Sequence, residues 1–140
     1  MAGKIVRSQN SDFTQIYRTF FAKDLHSENL VEFTIEDLTD DYADKAADLL
    51  VNCLAFDEVF NKSLKISENP QALKVLKEFY MYVVREKFSL ACFKTESREL
   101  VGVNALVVKS KGDEKIQVRK KVKKIATFIK LESFRLKIQK

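Results

Sequence analysis

Few side chains in this chain could do covalent or metal chemistry. Cys53 and Cys92 are its two cysteines and His26 its single histidine, too few for a zinc site of the Cys₄ or Cys₂His₂ kind. They also fall short of a disulfide framework. No metal is expected, and both thiols read as buried and reduced in an intracellular protein. Cys53 reads as the inward face of a helix and Cys92 as mid-strand. His26 lies far off in a polar segment and reads as a surface residue, so neither thiol has a base to make it a nucleophile. Carboxylates remain. Asp57-Glu58 is an acidic pair at a helix end, and taken locally such a pair is a solvated terminus.

The elements that must position these groups follow from periodicity. Phe13, Ile16, Tyr17, Phe20 and Phe21 recur at i, i+3, i+4, i+7 and i+8, which predicts one helix face within residues 1–30, capped by Ser11 or Asp12. Val31–Glu36 alternates apolar and polar, the period of a half-buried strand. Thr39, with Asp40 and Asp41 behind it, opens a helix whose inward side carries Tyr42, Ala46, Leu49, Leu50, Cys53 and Leu54 and which ends near Ala55–Asp57. A loop through Asn61–Ser67 leads to Asn69-Pro70, a cap with proline at the first helical position. The helix that follows buries Leu73, Leu76, Phe79, Tyr80 and Val83 and stops near Lys87. Two strand-like runs, Phe88–Lys94 and Leu100–Lys109, flank the hairpin loop Thr95–Arg98, and Gly102 marks a bulge or a close backbone approach.

The 140 residues suit one domain, and 46% hydrophobic with 32% charged is globular composition. Leu100–Val108, the longest mostly apolar stretch, has nine residues, against about 20 for a membrane span. The start, Met1 to Arg7, has no apolar run suited to a signal peptide, so a cytoplasmic protein is expected. The net charge of +5 is unevenly placed: residues 1–108 carry −4 and residues 109–140 carry +9. Val118, Val122, Ile125, Ile129 and Leu136 form a helical stripe among Arg119, Lys120, Lys121, Lys123, Lys124 and Lys130, which predicts a basic amphipathic helix over 115–140. As a solvated helix packed by one face it needs no partner. Anionic membrane or an acidic, calmodulin-like partner comes second. Nucleic acid comes last, since no RNP, zinc or helix-turn-helix signature accompanies the charge.

The order strand, helix, helix, strand, strand resembles the opening of a GNAT acetyltransferase. Phe33-Thr34-Ile35-Glu36-Asp37-Leu38, Asp57-Glu58, Phe88-Ser89-Leu90-Ala91 and Leu100–Lys109 look like successive blocks of its arthropod arylalkylamine (dopamine-type) N-acetyltransferase-like branch. The likeness covers roughly Val31–Glu114. It implies an α/β (α+β) partial GNAT fold, β-α-α-β-β, here with an N-terminal helix and an added basic C-terminal helix. The divisions are 1–30, a partly helical N-terminal segment; 31–114, the N-terminal half of an N-acetyltransferase-like domain; and 115–140, the basic helix.

The implied activity is acetyl-CoA-dependent acetylation of a small amine. In the family an aspartate–glutamate–proline triplet closes the first helix and its glutamate is the proposed general base, which makes Glu58 the candidate catalytic residue. Such a base works best when burial raises its pKa toward neutrality. Val59 stands where the family has proline, which loosens the turn that aims the carboxylate. The family's Gln/Arg-x-x-Gly-x-Gly/Ala loop, which cradles the CoA pyrophosphate, has no counterpart: the glycines are Gly3, Gly102 and Gly112. No cofactor-binding residue is therefore assigned. The expectation is a truncated, weakly active or inactive acetyltransferase-like chain that self-associates through an exposed sheet edge. The alternative is a non-catalytic module whose basic helix binds an acidic partner, an anionic membrane surface or nucleic acid.

Overall fold

The computed structural model describes residues 14–108. Their order is β1 (Ile16–Lys23), β2 (Leu30–Asp37), α1 (Ala43–Asp57), α2 (Val59–Ser63), α3 (Pro70–Arg85), β3 (Leu90–Lys94) and β4 (Leu100–Asn104), with short 3-10 turns at Asp40–Tyr42 and Ile66–Glu68. The expected strand, two long helices and final strand pair are present. The sheet runs β1-β2-β3-β4 with every neighbour antiparallel, an α+β arrangement. The helix expected over 115–140 lies outside the described residues.

The N-terminal expectation is corrected. Ile16, Tyr17, Phe20 and Phe21 lie on strand β1, not on a helix. Phe20 opposes Phe33 across the ladder and their rings stack at 5.5 Å. Much of this edge strand is exposed on both faces, so its sequence lacks the in–out alternation that reveals a strand. The match to helical spacing was accidental, and pairing with β2 overrides it.

Local chemistry sets the helix boundaries. Asn69 Oδ1 accepts from the backbone N–H groups of Gln71 (3.0 Å) and Ala72 (3.1 Å), with Pro70 as the first helical residue, so α3 begins where expected. The Thr39 side chain makes no capping bond, and Asp40–Tyr42 feeds α1 through a 3-10 turn. The stretch read as a loop from Asn61 to Ser67 instead holds most of α2 and the start of the Ile66–Glu68 turn.

Two clusters make the core. One joins Leu38, Ala43, Ala46, Leu50 and Val84 to Ala91 and Phe93 of β3. The other packs Val51 and Ala55 of α1 against Ile66, Ala72 and Leu76. The inward face of α1 is thus largely alanine, and it is rotated from the expected one: Cys53 is exposed and Cys92 half-buried, which corrects the reading of both as core thiols. In the β3–β4 turn Arg98 takes a left-handed φ of 56°. Cys92 opposes Gly102 and Phe93 opposes Leu100, so Val101 is bulged. A Cβ on Gly102 would lie 3.5 Å from that of Cys92, an ordinary contact, so the glycine accompanies a bulge and not a close approach. Past β4, which stops short of Lys109, the Leu106 N–H is held by the buried Ser89 Oγ at 3.1 Å.

Candidate functional site

Glu58 ends α1. Its N–H still donates to the Leu54 carbonyl at 3.2 Å, but its own φ of −70° and ψ of 126° turn the chain out of the helix. The next helix starts on it at once. The Lys62 N–H donates to the Glu58 carbonyl at 2.9 Å, and the Asn61 N–H donates to Glu58 Oε2 at 2.7 Å. Glu58 is therefore the N-cap of α2, where a carboxylate satisfies a free N–H and suits the helix dipole. Asn61 closes the junction from the other side: its Nδ2 donates to the Leu54 carbonyl at 3.0 Å. The turn that a proline would stiffen is held here by these two Asn61 bonds.

Around this junction the surface is mixed. Glu58 is exposed, and its neighbours Phe56 and Val59 are 55% and 81% exposed. Tyr80 of α3 lies half-buried nearby; burial pushes its phenol up, and the Glu58 carboxylate adds to the shift. The two mapped depressions do not include Glu58: one of about 620 Å³ runs along α3 beside Lys77 and Arg85, and one of about 380 Å³ lies between α1 and the β3–β4 turn beside Tyr42 and Arg98. Among the described residues, no group of three or more His, Cys, Asp or Glu could hold a metal ion, and no helix is long and apolar enough to cross a membrane.

A second carboxylate was not singled out by sequence. Glu36 of β2 is buried, and Arg98 grips it through two bonds, Nη1 to Oε2 at 3.0 Å and Nη2 to Oε1 at 2.5 Å. The Arg98 guanidinium also lies 4.2 Å from the Phe93 ring centroid, and the Glu36 carboxylate pushes its pKa up. The partners are 62 residues apart, so no local pattern joins them. The β2 alternation was the available signal, read with its polar residues facing outward. In the ladder Thr34 opposes Phe93 and Glu36 opposes Ala91, so these polar residues face the helices.

With this geometry the chain has the architecture of part of a GNAT acetyltransferase fold, and the resemblance to the arylalkylamine N-acetyltransferase branch holds. One solved structure that it matches is a candidate arylalkylamine N-acetyltransferase 7 of the yellow fever mosquito, with a TM-score of 0.71 and 32% identity over 79% of this chain. This chain spans 47% of that one, about half its length. No protein-family model matches the chain, and no curated protein matches it significantly.

Proposed function

We propose that this chain is an N-acetyltransferase-like protein of the arylalkylamine type, with Glu58 at the general-base position and weak or absent transfer by these 140 residues alone. The observation that carries the reading is the structural match at 32% identity. The position of Asp57-Glu58 at the end of α1 supports it. Exposed Phe56 and Val59 beside a carboxylate also suit a ligand that joins an aromatic ring to an ammonium group. Glu58 would take a proton from the amine, directly or through water, a contribution of about 10²–10⁴-fold.

Acetyl-CoA is the donor the resemblance implies, and the described residues do not fit it. Its pyrophosphate needs a glycine-bearing turn whose N–H groups open a helix. Gly102 is the one glycine among the described residues and lies in β4, while Asn69 already occupies the leading N–H groups of α3. Without that cradle the positioning term, worth about 7–11 kcal/mol of barrier, is lost, and Glu58 cannot replace it. Titration calorimetry with acetyl-CoA and a transfer assay on dopamine, tyramine and serotonin test this reading. No micromolar binding and no measurable turnover are expected. Robust transfer that falls in Glu58→Gln would overturn the low-turnover claim and keep the base. Robust transfer unchanged in Glu58→Gln would overturn both.

The charge split favours a second reading, an interaction module whose basic C-terminal segment meets an acidic partner, an anionic membrane surface or, last, nucleic acid. In either case a cytoplasmic setting suits the free thiols Cys53 and Cys92.

A further inference from the structure

Strand β1 has the composition of an interior strand and the position of an edge. Ile16, Tyr17, Thr19, Phe20 and Phe21 are the β-branched and aromatic types that fit a strand packed on both faces. Yet β2 pairs with one side of it, and among the described residues β1 and β4 are the two edges of the sheet. The two strands differ in burial. Phe33 and Thr34, on opposite faces of β2, are both buried, whereas Ile16 and Phe21 of β1 are 58% and 66% exposed. Edge strands are commonly blunted by short length, a proline, a bulge or a lysine. β4 has only five residues and is bulged at Val101. β1 has eight residues and no proline, and its pairing is regular from Arg18 to Lys23. Its two cations lie along its own hairpin: the Arg18 guanidinium is 5.9 Å from the Phe20 ring centroid, and Lys23 bonds Glu28.

We infer that β1 is the interface for a second copy of this chain, the two edges pairing antiparallel about a two-fold axis at Phe21. A two-fold contact puts the same patch on both copies. With the axis normal to the sheet, each residue faces one from the same face, and faces alternate along a strand, so the axis falls on a residue and not between two. Centring on Thr19 sets Arg18 opposite Phe20, and centring on Phe20 sets it opposite Ala22; neither register pairs unlike charges. Centring on Phe21 sets Arg18 opposite Asp24 of the second copy, Phe20 opposite Ala22, and Phe21 opposite itself. Unlike charges and aromatic pairs directly opposite each other stabilise a ladder. Asp24, already bound by Lys94, gains a second cation in this way. Phe21 opposes Glu32 two positions from the Thr19–Thr34 pair, so it stands on the helix side of the sheet, and its exposed ring is covered by its copy. One strand pair is a small seam beside the roughly 1,200–2,000 Å² of a stable interface, so the dimer forms at micromolar concentration and not below.

The full chain carrying Val101→Lys, which blocks the opposite edge, isolates the β1 contact. Sedimentation velocity at high micromolar concentration is expected to show a dimer. Adding Phe21→Lys is expected to leave monomer, and adding Arg18→Glu, which opposes two acids, to weaken the dimer at least threefold. Both side chains are exposed, so neither change disturbs the core. Cross-linking reads the register. With Cys53→Ser and Cys92→Ala removing the native thiols, single changes Thr19→Cys, Phe20→Cys and Phe21→Cys are oxidised. Directly opposed residues lie within disulfide reach, so Phe21→Cys is expected to give linked dimer at least tenfold faster than the other two. A monomeric Val101→Lys chain, or a dimer that Phe21→Lys leaves intact, overturns the inference. Equal rates at the three positions, or a maximum at Thr19 or Phe20, overturn the register on which it stands.

Discussion

At the scale of single residues, the interaction most exposed to test is Glu36 with Arg98. The Glu36 side chain is 6% exposed and that of Arg98 is 45% exposed, so Arg98→Ala strands a carboxylate that water hardly reaches. Removing one partner of a fully buried pair costs about 3–5 kcal/mol; with Arg98 partly solvated, about 2–3 kcal/mol is expected. Urea denaturation of Arg98→Ala and of the Glu36→Gln, Arg98→Ala pair measures it, and the double variant should recover part of the loss. A second network titrates. Lys94 bridges Asp24 (3.1 Å) and Glu99 (3.0 Å). Its hydrogen bond holds the Asp24 carboxyl below the ordinary 3.8, and Glu99 first, then Asp24, hold the Lys94 ammonium above 10.5. The Asp24 contribution is therefore complete above pH 3.8 and lost as pH falls further, through the lowered value. That of Lys94 is complete below pH 10.5 and lost as pH climbs past it. The gap in denaturation midpoint between wild type and Asp24→Asn should stay constant near neutrality and close below pH 3.8. Sequence exposes such residues unevenly. Asp57-Glu58 is visible as a local pair, but the Asn61 bonds that fix it depend on the turn between two helices. The Glu36–Arg98 contact depends on the whole sheet being assembled.

At the scale of elements, legibility follows how local the determinant is. The Asn69-Pro70 start of α3 is local and was readable; Asn69→Ala should cost about 1 kcal/mol, measured as a shift in thermal midpoint at unchanged helix content. Strand β2 was readable because alternation is a local period, although which side meets the helices is not. β1 was misread because its identity rests on its neighbour. The face of α1 was misplaced because large residues, Leu49 and Cys53, outweighed the alanines in the pattern. In the structure Ala46, Ala47 and Ala55 are fully buried. Small side chains let α1 approach its neighbours closely, so Ala47→Leu should overpack the interface and cost about 1–3 kcal/mol. Among the described residues β4 ends the sheet, with Val101 37% exposed on it and Leu106 39% exposed just past it, and unpaired strand edges recruit other strands. Sedimentation at micromolar concentration is expected to show association that a Val101→Lys change, on the exposed bulge of β4, reduces. A monomer at all concentrations would remove the edge as a contact.

At the scale of the whole molecule, charge is divided between two parts of the chain. The first 108 residues are net acidic, so polyanion contact should belong entirely to the segment after them. Replacing Lys120, Lys121, Lys123 and Lys124 with Gln leaves the apolar stripe intact. It should abolish heparin and anionic-vesicle binding, read by salt elution and vesicle co-sedimentation. The order of the strands carries a further consequence, for the route by which the chain reaches its fold. β1–β2 and β3–β4 are two hairpins, each closed by a short turn, yet 52 residues separate the end of β2 from the start of β3. Each hairpin can form in microseconds on its own. Joining them requires closure of the long intervening segment, and non-local pairings of this kind slow folding. The β2–β3 seam is thus the slow step, and a mutation along it, such as Ile35→Val opposite Cys92, should slow folding, read in the refolding arm of a chevron.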